Sequence, residues 1–207
     1  MNHCIASLSA PAGALITSLA MAVALATSAR AEEVIPPQVP SSLTVPSGNV
    51  PYLVGHAVGT QNYACVPTDT GIKWMLYTPQ ATLFDDFGEQ MTTHFFSPNP
   101  LAPSEFLPTW QDSTDTSAVW VKAVAAPYTG GDFVEPNAIA WLLLKVVTSV
   151  AGPTGGETLT ATTYIQRLHT TGGSAPAKGC SKPLDLGKKV IVPYTADYYF
   201  YRPDIIE

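Results

Sequence analysis

Short hydrophobic runs separated by turn-forming residues make up most of the chain after residue 50. Gly59, Pro79 and the stretch PTDTG at 67–71 lie between successive runs. This spacing is typical of antiparallel strands in a sandwich or barrel. The predicted strands cover residues 52–58, 61–66, 73–78, 81–84, 90–96, 118–125, 140–150, 158–170 and 188–202. We therefore predict an all-β, single-domain antiparallel β-sandwich or barrel.

The stretch between the predicted strands 90–96 and 118–125 is rich in proline. Pro98, Pro100 and Pro103 restrict the backbone, which predicts a stiff connecting loop. Trp110 and Gln111 lie in this predicted loop and are its candidate contact residues. Asp85, Asp86 and Gly88, by contrast, predict a tight hairpin turn between strands.

The first residues have the pattern of a secretory signal. An apolar run at 12–26 precedes Ala29-Arg30-Ala31, a small-x-small site that predicts cleavage after Ala31. Residues 1–31 are thus the predicted signal peptide, the proline-rich segment 32–48 a polyproline-like N-terminal arm, and 49–207 the β domain. We expect a periplasmic or secreted protein without a stable membrane span.

The cysteines support the same compartment. Cys4 lies in the predicted signal, which leaves Cys65 and Cys180. An exported pair of this kind is expected to form a disulfide. A bridge across more than a hundred residues stabilises a fold by about 4 to 5 kcal/mol in the chain-entropy account.

Charge and missing motifs exclude several functions. The formal net charge is −6, and an acidic chain repels phosphate backbones, so we expect no nucleic-acid partner. The sequence lacks the glycine-rich dinucleotide fingerprint, the P-loop, and the nucleophile-elbow and zinc-protease motifs. We expect no cofactor, and the sequence specifies no oligomeric state.

Three histidines, His56, His94 and His169, lie on or at the ends of predicted strands. If the sheet gathers them, they form a candidate zinc, copper or iron site. The alternative is that each is a hydrogen-bonded structural residue, because no H-x-H spacing pairs two of them. The enzyme hypothesis gains if two of these imidazoles meet a carboxylate at a pocket, because metal and acid–base sites need such convergence.

Acidic residues near Trp110 are a second candidate. Glu105, Asp112 and Asp115 could supply the two carboxyls of a sugar hydrolase, which lie about 5 to 10 Å apart. Asp112 and Asp115 stand beside Ser and Thr, however, and this pattern favours capping of a turn.

Aromatic residues suggest a binding surface. Trp110 and Tyr63, with Tyr77 and the run 198–201, could form a platform on which a sugar ring stacks. The other tryptophans of the β domain, Trp74, Trp120 and Trp141, fall inside predicted strands, where core packing is the usual outcome.

Several sequence blocks together resemble a known family. They are VPYLVGHAVGTQNYACVP, TPQATLFDDFG, THFFSPNP, TWQDSTDTSAVW, WLLLKVV, GPTGGETLTATTYIQR and VPYTADYYFYR, spread over about residues 49–202. In this order they resemble the exported family DUF3455 of bacteria and fungi. The resemblance implies export but carries over no reaction, cofactor or catalytic residue.

The functional expectation follows from these observations. The leading hypothesis is a non-catalytic binding module for a glycan or a cell-envelope component. The alternatives are a hydrolase or metal-dependent enzyme that uses the His and carboxylate residues above, and a purely structural role in the envelope.

Overall fold

The computed structural model describes Met1 and residues 33–205, of which residues 33–205 lie in one compact unit. The predicted signal peptide, Met1 apart, and its cleavage site therefore lie outside the described residues. Within the described part of the chain, no helix is long and apolar enough to cross a membrane.

The all-β prediction is confirmed. Antiparallel strands form a closed barrel in which each strand pairs with the next and the last pairs with the first. Over residues 33–205 the strands are β1 (Asn49–Thr68), β2 (Gly71–Phe84), β3 (Gln90–Asn99), β4 (Ala102–Asp112), β5 (Ala118–Ala123), β6 (Leu142–Val150), β7 (Tyr164–Gly172) and β8 (Lys189–Pro203).

Two predicted interruptions do not end strands. β1 continues through Gly59, and β2 continues through Pro79. A Cβ at Gly59 would lie 2.3 Å from the carbonyl oxygen of Gln80, so glycine here permits close approach of the neighbouring strand. The turn predicted at 85–88 is confirmed, since the Asp85 carboxylate accepts the backbone N–H groups of Phe87 and Glu89.

The predicted stiff loop is instead a hairpin formed by β3 and β4. Pro98 and Pro108 both lie inside its strands. β4 pairs with β5 only over residues 109–111, so the rest of β4 has no ladder partner on that side. An edge of this kind tolerates proline, which cannot donate to a ladder. The prediction of a loop was therefore wrong for most of this stretch.

One end of the barrel, which we call the closed end, is filled by side chains. Leu159 enters it from the β6–β7 connection and packs with Val119 and Phe200, all of them fully buried. β7 begins at Tyr164, not at residue 158 as predicted. Gly152 packs onto the β4–β5 turn, where a Cβ would lie 1.8 Å from the Asp115 carbonyl oxygen.

The proline-rich segment lies along the outer wall of the barrel. It contains a 3-10 turn, Ser41–Leu43, and Leu43 is fully buried. The Gln166 side chain in β7 donates to the Leu43 carbonyl oxygen over 2.7 Å. Leu43 joins an outer apolar cluster with Trp141 and Tyr199.

The disulfide is present in the structure. Cys65 in β1 bonds Cys180 in the β7–β8 connection, with Cα atoms 5.5 Å apart and a sequence separation of 115 residues. It ties this long connection to the end of the barrel opposite the closed end.

Candidate ligand-binding cavity

A cavity of about 620 Å³ lies inside the barrel at that opposite end, which we call the open end. Its wall combines inward-facing side chains of the strands with residues of the β5–β6 and β7–β8 connections. Exposed residues, among them Lys122, Thr129 and Ala175, also line it, so the cavity reaches the surface. Apolar and aromatic residues predominate in the lining.

His94 and Trp110 form the aromatic part of the wall. Their rings stack with centroids 3.9 Å apart and planes 11° apart, and Tyr198 meets Trp110 edge-on at 5.1 Å. The backbone carbonyl of Thr109, 3.0 Å away, accepts from His94 Nδ1, which therefore carries the hydrogen. Burial lowers the pKa of His94 to about 3, so the ring is neutral near pH 7.

Arg167 in β7 brings a positive charge to the cavity. Its Nε and Nη2 atoms both donate to the carbonyl oxygen of Ala140, over 3.0 and 2.8 Å. Among the ion pairs within residues 33–205, none includes Arg167. Burial raises the pKa of Tyr198, and the nearby Arg167 charge opposes this rise.

Tyr63 and Gln61 of β1 complete the polar part of the lining. The Tyr63 hydroxyl donates to the Gly173 carbonyl oxygen over 2.7 Å. Gln61 is 2% exposed, and its Nε2 atom has no hydrogen-bond partner among the described residues. The Nε1 atom of Trp110 is likewise buried without a partner in that part of the chain.

The predicted binding residues separate into two groups. Trp110 and Tyr63 both line the cavity, whereas Gln111 does not and donates instead toward the Thr116 carbonyl over 3.5 Å. Trp110, a candidate contact residue of the predicted loop, is instead buried and only 1% exposed. In a strand, alternate side chains point to opposite faces, and Trp110 takes the inner one.

The three histidines do not come together. His94 lies inside the barrel, while His56 and His169 share the carboxylate of Asp197 on the outer wall. The two Nδ1 atoms lie 2.7 and 2.8 Å from its two oxygens. Asp86 approaches His56 Nε2 at 2.9 Å, so the outer cluster runs Asp86–His56–Asp197–His169.

A backbone irregularity places His169 in this outer cluster. The β7–β8 ladder shifts register between Leu168 and Thr171, and His169 within the shift has φ 46°. A positive φ is uncommon for a residue with a side chain. The side chains of the outer cluster range from 22% exposed at Asp197 to 61% exposed at Asp86, and none of them lines the cavity. In residues 33–205 no three His, Cys, Asp or Glu side chains are grouped to hold a metal ion.

The candidate carboxylates hold the protein's own groups. One oxygen of Asp112 accepts the Thr114 hydroxyl and the backbone N–H of Thr114 and Asp115. Asp115 accepts the Ser117 hydroxyl and the backbone N–H groups of Ser117 and Thr158. Turn capping, the favoured interpretation of these two residues, is confirmed. Glu105 forms an ion pair with Lys122 over 2.6 Å.

Sequence reasoning missed Arg167 as a cavity residue. The available signal is period-two alternation, because Thr163, Ile165 and Arg167 occupy successive positions on one side of a predicted strand. A basic residue that continues a mainly apolar side faces the core or a cavity, and in either place it needs a partner. The same alternation places Gln61 between Gly59 and Tyr63 on one side of β1. A buried polar side chain in that position also needs a hydrogen-bond partner.

Comparison with known proteins bears on the family of the chain. The family model described as "Protein of unknown function (DUF3455)" matches residues 46–202. No curated protein and no solved structure matches the chain. The matched segment takes in all of β1 to β7 and nearly all of β8, and it includes every cavity residue discussed above. The protein therefore belongs to the DUF3455 family.

Proposed function

We propose that the protein is a non-catalytic binding barrel that takes a small, largely apolar molecule into the cavity at its open end. The observation that carries the proposal is the cavity itself, about 620 Å³ in volume and lined mainly by apolar and aromatic side chains. Binding sites for small molecules typically have about 300 to 1,000 Å³, and the mouth of a β-barrel is one of their common positions.

The construction of the open end supports binding in a preformed site. The disulfide holds the β7–β8 connection to β1 beside the cavity. The Tyr63 hydroxyl bonds Gly173 at the start of the same connection, and Arg167 bonds Ala140 of the β5–β6 connection. A wall fixed by such links loses little conformational freedom when a ligand enters, which favours affinity.

The position of the aromatic residues favours an apolar molecule over a glycan. A sugar platform needs an exposed ring face, whereas Trp110 is 1% and Tyr63 9% exposed. An apolar component of the cell envelope fits the cavity better. Export is part of this proposal, because disulfides persist in oxidising compartments.

The polar side chains considered for an enzyme have other roles. Asp112 and Asp115 cap a turn, and the outer cluster of His56 and His169 lies on the opposite face of the wall from the cavity. The one imidazole in the cavity, His94, stacks on Trp110 and is neutral near pH 7. These structural roles support binding without turnover as the function of the cavity.

Titration with N-phenyl-1-naphthylamine, a neutral apolar dye that fluoresces in apolar surroundings, tests the proposal. We expect saturable binding of one dye per chain. Ala123 lines the mouth and is exposed, so Ala123→Trp should block the entrance at little cost to folding and abolish the signal.

The matched control is Val124→Trp. Val124 is the next residue, is 51% exposed and does not line the cavity, so this variant should bind the dye as the wild type does. The proposal is wrong if the wild type shows no saturable signal, or if folded Ala123→Trp binds as tightly as Val124→Trp.

A further inference from the structure

We infer that the molecule held in the cavity carries an anionic oxygen group, a carboxylate in the simplest case, and that Arg167 receives it. The inference rests on the proposed function and adds the chemical class of the ligand. The ligand is then an apolar body with one acidic head, such as an acyl chain or a fused ring bearing a carboxylate.

The Arg167 side chain has unused hydrogen-bond donors and no counter-charge among the described residues. A guanidinium has five N–H donors, and the Ala140 carbonyl oxygen takes one from Nε and one from Nη2. Within residues 33–205, no Asp or Glu lies within ion-pair distance of Arg167. A partly buried charge without a counter-charge is costly, and a carboxylate matches the planar fork of donors.

The charges around the cavity do not balance. Its described lining contains two cations, Arg167 and Lys122, and no acidic side chain. Lys122 at the mouth is already paired with Glu105 over 2.6 Å. His94 carries no charge near pH 7, since burial and the Arg167 charge both lower its pKa. The cavity therefore has one uncompensated positive charge.

Two neutral side chains of the lining also favour a ligand with oxygen acceptors. Gln61 and Trp110 line the same cavity and are 2% and 1% exposed. Each has a buried N–H group without a partner among the described residues. Buried donors normally find acceptors, and one left without an acceptor destabilises the fold. The N–H groups of Gln61 and Trp110 lack an acceptor, and Arg167 lacks an anion. A ligand that carries several oxygen acceptors would therefore supply the partners that this wall lacks.

Displacement of the dye by matched pairs of acid and alcohol tests the inference. The pairs are decanoate with 1-decanol and 2-naphthoate with 2-naphthylmethanol, at pH 7.5. They separate an acyl chain from an aromatic ring as the apolar body. In at least one pair we expect the acid to displace the dye at a concentration about 10- to 100-fold lower than the alcohol, the factor of a hydrogen bond to a charged group.

Variants locate the anion. Arg167→Met should bring acid and alcohol to equal potency, while Arg167→Lys, which keeps the charge, should retain part of the preference. Lys145→Met is the control, because Lys145 is exposed in β6 and does not line the cavity. The acid preference should persist in that variant. Circular dichroism checks that each variant is folded.

The outcomes separate the two proposals. If the dye binds and Ala123→Trp blocks it, but acids and alcohols compete equally in the wild type, the anion inference is wrong and the proposed function stands. This comparison uses only the wild type, so it does not depend on whether a variant of Arg167 folds. If the preference is lost in Lys122→Met and kept in Arg167→Met, the anion lies at the mouth, which also overturns the inference. If neither the dye nor any competitor binds, both proposals fail.

Discussion

The inner and outer faces of the barrel wall place the same residue type in opposite electrostatic surroundings. On the inner face, His94 is buried against Trp110. Burial is the largest cause that lowers its pKa to about 3. On the outer face, burial lowers the pKa of His56, but hydrogen bonds to Asp197 and Asp86 and their charges outweigh it. The net pKa of His56 is therefore raised above 6.5.

The two faces also differ in how their charged groups are paired. The outer face pairs histidines with carboxylates in solvent, where such pairs contribute little stability. The inner face presents neutral rings and a single unpaired guanidinium to an apolar space. No acidic side chain among the described residues lines the cavity, so the position where an anion gains most is inside it.

The largest expected effect comes from the inner face. Trp110→Ala removes a side chain that packs on His94, Tyr198 and Phe200, and should lower the free energy of unfolding by about 3 to 5 kcal/mol. Trp74→Ala is the control, because Trp74 is only partly buried, and its loss should be less than half as large. Urea denaturation measures both, and equal losses would contradict the packing role given to Trp110.

The second effect is acid destabilisation through His94. The unfolded chain protonates this residue near pH 6.5, whereas the folded chain resists until about pH 3. The unfolded state binds more protons between these values, so stability falls as pH decreases through them. By pH 4.5 the loss is about 2 to 3 kcal/mol.

His94→Gln removes the titration of this residue. Comparison of this variant with the wild type separates the effect of His94 from that of the carboxylates, which also contribute to acid unfolding. Urea midpoints of wild type and variant at pH 7 and 4.5 should show a smaller drop in the variant. An equal drop in both proteins would mean that His94 protonates normally in the folded state.

The smallest effect has the opposite sign and belongs to the outer face. Because the folded pKa of His56 is raised, its stabilising contribution is complete below pH 6.5 and is lost as pH rises through the folded pKa. The side chain is 40% exposed, so screening keeps the contribution below about 1 kcal/mol.

Melting temperatures at low salt, at pH 5.5 and pH 8.5, measure the stabilising contribution of His56. Wild type should exceed His56→Gln at pH 5.5 and match it at pH 8.5. Asp197→Asn removes the shared carboxylate. In this background, the difference in melting temperature between the protein with His56 and the His56→Gln variant should be smaller. A larger advantage of the wild type at pH 8.5 than at pH 5.5 would contradict a raised pKa of His56.

The sequence predicted those features that local pattern controls. Strand periodicity and turn residues predicted the all-β fold, and Asp112 and Asp115 were correctly assigned to turn capping because most of their partners lie within three residues. The pairing of Cys65 with Cys180 followed from counting alone, because only two cysteines remain outside the predicted signal.

The errors arose where a neighbouring strand supplies the missing information. Proline near Trp110 suggested a loop, but β3 pairs with this segment and makes it a strand. Gly59 looked like a break, yet it permits close contact with β2. In each case the local preference was overridden by a partner distant in sequence.

The amino-acid sequence by itself determined that this chain folds as antiparallel strands with one disulfide, because backbone preferences and cysteine chemistry act locally or depend on composition. Only the tertiary structure decided which side of each strand faces inward. Closure of the barrel put Arg167, Gln61 and Trp110 around one cavity and left His56 and His169 outside it. Alternation along a strand defines two faces, and the ladder that closes the barrel selects the inner one.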